Sequence, residues 1–207
     1  MTKISLIRHG LVHNPAEVYY GRLPGYGLAA LGRAQAAAAG DYLAGAGIVA
    51  VYHSPMLRAF QTAEIVRSRC AADAPLVECD LLNEIHSPFD GLAATEMEKR
   101  DWNFYDEINP PYEQPADIVA RLLRFFDLAR QRHPGHHVIG VSHADPIAFA
   151  ILWAADLSLS ASQRKRLIDA GISEPYPSPA SVTTFEFADS EERRLLTFRY
   201  HAPAALL

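Results

Sequence analysis

The chain has 207 residues, of which 49% are hydrophobic, and this length suits one domain with a sizeable core. Its 19 Lys and Arg residues against 24 Asp and Glu residues give a formal net charge of −5, which argues against nucleic-acid binding because no basic excess is available for counterion release. No apolar run approaches the roughly 18 residues of a membrane-spanning helix, so we expect no membrane contact.

The first predicted elements are a short strand and an alanine-rich helix. Residues 4–7 form an apolar run that ends at Arg8, which predicts a buried strand; this run is too short for a signal peptide. Residues 34–46 have the composition and the apolar spacing of a helix, and we expect Gly45 and Gly47 to stop it.

The next apolar run, from Val51, leads into Ser54 and Pro55, which are suited to start a helix. Serine can cap a helix and proline fits its first turn. We therefore expect Arg58 to lie in that first turn, where free backbone N–H groups add positive potential. Further along, residues 115–132 place an apolar stripe opposite arginines and predict an amphipathic helix.

The remaining predicted elements follow this helix. Residues 138–142 predict another strand, and Pro146 is suited to open the helix after it. Two alternating segments, 182–187 and 195–200, predict a hairpin whose turn is the sequence Asp189-Ser190-Glu191.

The order of these elements predicts an α/β fold. We expect a three-layer α/β/α sandwich, with a mostly parallel central sheet and a C-terminal antiparallel hairpin. Residues 86–115 lack clean periodicity, and we interpret them as an insertion over the active site of a single domain, 1–207. Cys70 and Cys79 form neither a disulfide framework nor a four-ligand zinc site, which favours a cytoplasmic protein.

Three predicted strands deliver ionisable side chains at their C-terminal ends. The first leads to Arg8 and His9, the second leads towards Arg58, and the third ends before His143. Open α/β sheets place their ligand crevice at this edge. Because guanidinium groups grip oxyanions and imidazoles can attack or carry protons, the sequence predicts a phosphate site.

Four motifs stand in a fixed order between residues 8 and 143. They are Arg8-His9-Gly10 with Asn14, then Ser54-Pro55-x-x-Arg58-Ala59-x-Gln61-Thr62-Ala63, then Glu84, then Val141-Ser142-His143. This ordered set resembles the histidine phosphatase superfamily, in its phosphoglycerate-mutase-like branch. The resemblance implies phosphoryl chemistry and covers most of the chain.

Hydrolysis of a phosphate monoester spreads negative charge over three oxygens in the transition state. Because the sequence contains no Asp-x-Asp pair, Walker loop or His-Glu-x-x-His motif, we expect no metal or cofactor and assign this charge stabilisation to side chains. Arg8, Arg58 and His143 can surround the phosphoryl group. The resemblance, rather than the sequence, selects His9 over His143 as the nucleophile that becomes a phosphohistidine. Adjacent arginines help to keep its ring neutral.

The leaving alcohol needs a proton donor, because an alkoxide is a poor leaving group. Glu84 stands where the branch carries its acid/base carboxylate. Beside a phosphate dianion its pKa should be raised, so that it holds a proton near neutral pH. Asp145, two residues past His143, is the rival donor.

Three further positions are candidate substrate contacts. Asn14 either contacts phosphate or turns the loop after His9. Arg22 is either a second contact to phosphate or carboxylate, or a solvated loop residue. His143 is followed by Ala144, where glycine is common in the branch; the backbone N–H of Ala144 is still available to an oxyanion.

These observations favour a metal-independent phosphomonoester hydrolase acting on a small phosphorylated metabolite or binding inorganic phosphate. One alternative is a phosphoglycerate-mutase-type phosphotransferase, but residues 92–106 lack the basic segment of such mutases. A non-catalytic phospho-ligand-binding module is the other, although it would be expected to have lost His9 or Glu84. The substrate stays open among sugar phosphates, α-ribazole phosphate, phosphoglycolates and phosphoprotein. The exposed hairpin or a helix face also leaves room for a homodimer.

Overall fold

The computed structural model describes residues 1–189 and 194–203. Its strands and longer helices, in chain order, are β1 (Thr2–Arg8), α1 (Ala30–Tyr42), β2 (Ile48–His53), α2 (Leu57–Cys70), β3 (Leu76–Glu78), α3 (Ala94–Lys99), α4 (Pro115–Arg132), β4 (His137–Ser142), α5 (Ala144–Ala154), β5 (Val182–Phe187) and β6 (Leu195–His201). Three single turns of 3₁₀ helix cover Asp80–Leu82, Gln163–Lys165 and Leu167–Ala170. Within the described ranges, no helix has the length and apolar character needed to cross a bilayer.

The six strands form one sheet in the order β3-β2-β4-β1-β5-β6. The first four in this order are parallel, whereas β5 and β6 are antiparallel to their neighbours. Ile4 of β1 pairs with Val138 on one side and with Phe185 on the other. The mostly parallel sheet and the C-terminal hairpin are therefore confirmed; Ser190 and Glu191 of the predicted turn lie outside the described residues.

Helices cover both faces of this sheet, because the strands alternate their apolar side chains between two separate cores. Ile4 and Leu6 point into the core that contains Phe125 of α4 and Phe149 of α5. Ile7 points the other way, into the core beneath α1 and α2. The predicted three-layer sandwich is confirmed, and it brings the C-terminal ends of β1, β2 and β4 to one edge.

Two predicted helix starts are shifted. α1 spans Ala30–Tyr42 instead of 34–46. α2 begins at Leu57, two residues after Pro55, and Ser54 makes no cap to it. The Ser54 hydroxyl accepts the N–H of Met56, the residue before α2, at 3.3 Å, and it also lies 2.8 Å from the His143 ring at the edge of the sheet.

Residues 86–115 contain a short helix, α3, that the sequence did not predict. Met97 of α3 and Phe104 are buried in the core on the α4 and α5 side of the sheet. Gln114 and Asp117 form a capping box at the start of α4, which fixes where the segment ends. The segment therefore packs on the domain through its own apolar side chains.

Candidate active site

A cavity of about 510 Å³ opens at the C-terminal edge of the sheet. Its lining includes six residues that the sequence analysis singled out: Arg8, His9, Asn14, Glu84, Ala144 and Asp145. Arg58 and His143 lie directly behind this lining and are fully buried. The fold thus brings together residues from distant parts of the chain.

His9 follows β1 directly, and its ring is held in one orientation. Its Nδ1 atom lies 2.8 Å from the carbonyl oxygen of Gly10. A carbonyl can only accept a hydrogen bond, so Nδ1 carries the hydrogen and Nε2 carries the free lone pair. Burial, together with Arg58, His143 and Arg8, holds the pKa of His9 well below its usual value. The ring is therefore neutral near pH 7 and has a nucleophilic nitrogen.

Gly10 is required by close backbone packing beside His9. A Cβ atom at this position would lie 2.2 Å from the carbonyl oxygen of Gly32. The Gly10 N–H also donates to the Thr62 hydroxyl at 3.1 Å, and that hydroxyl donates to the Arg58 carbonyl at 2.8 Å. The turn after β1 is thereby anchored to α2.

The His143 ring lies beside the His9 ring, with 5.2 Å between their centroids. Its Nε2 atom is 2.8 Å from the Ser54 hydroxyl, and its Nδ1 atom is 3.2 Å from a carboxylate oxygen of Glu84. Burial and Arg58 together outweigh the opposite effect of Glu84 and lower the pKa of His143 to about 4. His143 is therefore also neutral near pH 7.

Arg8 and Arg58 supply the positive charge of the site. Arg58 donates to the Gly21 carbonyl at 2.7 Å and lies over the Tyr20 ring, whereas Arg8 donates to the Pro177 carbonyl at 2.6 Å. The Nε atoms of both arginines are buried and find no acceptor among the described residues. Buried donors without acceptors are costly, and two of them at one site favour an oxyanion ligand.

The Glu84 carboxylate faces both cationic and neutral donors. One oxygen accepts the Ile85 N–H at 2.9 Å, and the other lies 3.5 Å from the Arg58 guanidinium. Burial alone would raise the pKa of Glu84, but His143 and Arg58 outweigh it and hold this pKa well below its usual range. Without a phosphate dianion the surroundings therefore favour the ionised carboxylate; the raised pKa expected beside a bound phosphate dianion stays a prediction.

Asp145, the rival proton donor, is held by three other side chains. One of its oxygens accepts from Arg164 at 2.6 Å and from the Tyr176 hydroxyl, and the other accepts from the Tyr105 hydroxyl. Although Asp145 lines the cavity, both of its oxygens are committed to fixed donors. This arrangement favours Glu84 over Asp145 as the acid.

The three remaining candidates lie in different surroundings. Asn14 lines the cavity, but its side chain donates to the Val18 carbonyl at 2.9 Å and accepts the Val18 N–H, so it shapes its own loop. Arg22 does not line the cavity; its guanidinium donates to the Glu84 carbonyl at 2.6 and 2.9 Å. Ala144 lines the cavity as the first residue of α5.

The site could present three ligand atoms to a metal ion. Those of His9, Glu84 and His143 lie within 4.8 Å of one another. The Arg58 guanidinium, however, is 3.2 Å from the Nδ1 atom of His143, and Arg8 lines the same cavity. Two guanidinium charges repel a divalent cation and attract an anion, so the electrostatics favour phosphate.

Sequence reasoning missed several residues of the site. The position of Ser54 directly after β2, at the same sheet edge as His9, is a signal that could have identified it. Tyr105, Arg164 and Tyr176 come from segments with no periodic pattern, and no signal in the sequence indicates that they meet at Asp145.

Comparisons with known proteins find similar sequences and a similar structure. The profile of the histidine phosphatase superfamily (branch 1) matches residues 4–195. An uncharacterised protein of Mycobacterium tuberculosis is 36% identical and covers 99% of this chain and 98% of its own length. Phosphoserine phosphatase 1 of Hydrogenobacter thermophilus is 29% identical over 76% of this chain and 79% of its own. The solved structure of Bacillus stearothermophilus YhfR, 27% identical, superposes with a TM-score of 0.74 over 91% of this chain and 92% of that one.

Proposed function

The chain belongs to the histidine phosphatase superfamily, and we propose that it is a metal-independent phosphomonoester hydrolase acting through a phosphohistidine at His9 on a small phosphorylated metabolite. One observation carries this proposal. His9 presents a neutral ring whose Nε2 lone pair is free, because its Nδ1 hydrogen is bound to the Gly10 carbonyl. Beside it lie a second imidazole, a carboxyl group and two guanidinium groups with buried free donors.

In the first step, the Nε2 atom of His9 attacks phosphorus and forms the N–P bond while the P–O bond to the alcohol breaks. Arg8, Arg58 and His143 stabilise the charge on the three non-bridging oxygens. Glu84 gives its proton to the departing oxygen, so that a neutral alcohol leaves. The second step reverses these roles. Glu84 takes a proton from water, the resulting hydroxide equivalent attacks phosphorus, and the N–P bond breaks.

The proton on Glu84 depends on the bound substrate. In the structure His143 and Arg58 favour the ionised carboxylate. A phosphate dianion placed against Arg8 and Arg58 compensates their charge and adds a negative charge of its own, and both effects raise the pKa of Glu84. Substrate binding therefore prepares the acid that the first step needs.

The residues of the cavity fit a hydrolase better than a mutase, which transfers a phosphoryl group between two ligands, or a module that only binds a phosphorylated ligand. A mutase must hold a second anionic group, yet Arg164 and Lys165, the cations on the far side of the cavity, are paired with Asp145 and Asp101. A binding module needs no acid/base group. We also propose that residues 86–115 act as an insertion that forms one wall of the cavity, since Trp102 and Phe104 line it.

The test is hydrolysis of p-nitrophenyl phosphate in excess EDTA, combined with rapid-quench trapping of the phosphoryl group. We expect full activity in EDTA and an acid-labile, base-stable adduct. His9→Ala should abolish both, whereas His13→Ala, which alters an exposed histidine, should change neither. Activity that needs magnesium or zinc, or label on His143 or on an aspartate, would overturn the proposal.

A further inference from the structure

The cavity has a second half, away from the two histidines, whose lining is mainly apolar and aromatic. Its side chains come from the loop before Arg22, from the residue after Glu84 and from the segment 86–115. They are Val18, Tyr19, Ile85, Ala94, Trp102 and Phe104. The alcohol portion of a substrate whose phosphate lies at His9 would extend into this half.

Both cations in this half have their charge paired within the protein. Arg164 is buried, contacts Asp145 at 2.6 Å and lies over the Phe104 ring, 5.4 Å from its centroid. Its charge is paired with Asp145, although its Nε atom, like those of Arg8 and Arg58, is buried without an acceptor among the described residues and can donate to a ligand oxygen. Lys165 contacts the Asp101 carboxylate at 2.7 Å and also donates to its backbone carbonyl. A second anionic group on the substrate would have to compete with Asp145 and Asp101 for these two cations.

The hydroxyl of Tyr19 is a donor in this half that the protein itself does not use. It is buried and finds no hydrogen-bond partner among the described residues. The ring packs 4.6 Å from Phe104, and backbone hydrogen bonds to Gly91 and Leu92 hold the residue in place. Burial and then Glu84 raise the pKa of Tyr19 well above its usual value, so the hydroxyl keeps its hydrogen. A buried donor without an acceptor is costly until a ligand oxygen accepts it.

We propose that this half of the cavity selects phosphomonoesters whose alcohol portion is uncharged and largely apolar or aromatic, and that Tyr19 donates a hydrogen bond to an oxygen of that portion. This inference rests on the proposed function, because it assumes that the phosphoryl group lies at His9. The physical reason is desolvation: a carboxylate or second phosphate would lose its water against apolar walls and would compete with Asp145 and Asp101 for the two cations, whereas an uncharged group gains from those walls.

The test uses two substrates that differ in one charge, 4-(methoxycarbonyl)benzyl phosphate and 4-carboxybenzyl phosphate. Both release a benzylic alcohol, so the chemical step is closely matched. We expect kcat/KM for the ester to exceed that for the acid by about tenfold or more, because the acid buries an unpaired carboxylate. Equal values would overturn the inference, and so would a preference for the acid, which would show that Arg164 or Lys165 binds the carboxylate.

Two variants test the residues that carry the argument. Asp101→Asn removes the carboxylate partner of Lys165, and should lower the ester-to-acid ratio by roughly twofold to fivefold, as expected for a partly exposed ion pair. Tyr19→Phe should lower kcat/KM for the ester by about twofold to tenfold without changing the inhibition constant of vanadate. Tyr42→Phe, on a half-exposed ring of α1, is the matched control.

The failure of the inference and the failure of the proposed function give different results. Hydrolysis of p-nitrophenyl phosphate and of both benzyl phosphates at equal kcat/KM would refute only the selection of uncharged groups. An unchanged ester-to-acid ratio in Asp101→Asn would refute the role of the Asp101–Lys165 pair in this selection. Equal effects of Tyr19→Phe and Tyr42→Phe would refute the hydrogen bond from Tyr19. No hydrolysis of any of the three substrates would refute the proposed function and the inference with it.

Discussion

Replacement of Glu84 by glutamine tests whether this residue is the general acid. Glutamine has the same shape and keeps an oxygen to accept the Ile85 N–H, which the Glu84 carboxylate now accepts at 2.9 Å. It loses the proton and the negative charge beside Arg58 and His143. Because Glu84 raises the pKa of His143, its removal leaves His143 neutral near pH 7. The variant therefore isolates proton donation from the charge state of the histidines.

The expected damage depends on the leaving group. With an alkyl phosphate, loss of the acid forces an alkoxide to leave, and general acid catalysis is typically worth about 10²–10⁴-fold. With p-nitrophenyl phosphate the phenolate is stable by itself, so formation of the phosphohistidine should slow by less than about tenfold. Attack of water on the intermediate still needs a base and should be slow with both substrates.

The assay must separate the two steps. Rapid quench in the burst phase measures only formation of the phosphohistidine, whereas the steady state also contains its hydrolysis. Glu84→Gln should show a burst of p-nitrophenol followed by slow turnover. Equal damage to the alkyl and the aryl substrate in the burst phase would refute the role of Glu84. Asp145→Asn, tested in the same way, examines the rival donor and should show no dependence on the leaving group.

Three other predictions concern the rest of the site. Arg8→Ala and Arg58→Ala should each weaken competitive inhibition by vanadate by about 1.5–3 kcal/mol, the worth of a charged hydrogen bond; unchanged inhibition in both, relative to the exposed control Arg33→Ala, would place the anion elsewhere. Ser54→Ala removes the group 2.8 Å from Nε2 of His143 and should lower kcat/KM for p-nitrophenyl phosphate by about twofold to tenfold; wild-type kinetics would contradict this. The pKa of His143 is about 4 in the folded protein and about 6.5 in the unfolded chain. As the pH drops from about 6.5 to about 4, the unfolded chain therefore takes up a proton before the folded protein does. The free energy of unfolding falls over this range by up to about 1.4 kcal/mol per pH unit. Urea unfolding of His143→Gln should show a flatter slope there, and an unchanged slope would refute the assignment.

The sequence predicted the parts of the fold that have a local physical cause. The helix at 115–132 was predicted with its observed bounds, because its apolar stripe and Pro115 are local signals. The start of α2 was not, because the Ser54 hydroxyl has two uses: it accepts the N–H of Met56 just before the helix, and it contacts His143. Local rules describe the first use and cannot detect the second, which depends on residues 89 positions apart in the chain.

The residues of the candidate site also fall into those that the sequence could predict and those that it could not. The convergence of Arg8, His9 and His143 follows from strand order, since ionisable residues that follow parallel strands meet at one sheet edge. The partners of Asp145 could not be predicted, because Arg164 and Tyr176 come from irregular segments that the strand pattern does not place. An ion pair between such segments leaves no periodic trace in the sequence.

Arg22 shows how a motif residue can act on the site without entering the cavity. Its guanidinium donates twice to the Glu84 carbonyl and contacts Glu113 at 3.1 Å. Glu113 also contacts Arg121 of α4 at 2.7 Å and accepts the N–H of His86. Arg121 also donates to the Glu84 carbonyl at 3.4 Å, so two arginines that share one carboxylate hold the backbone of Glu84 from outside the cavity. Because Glu84 belongs to no strand or long helix, this network takes the place of regular secondary structure in keeping its carboxyl group against His143.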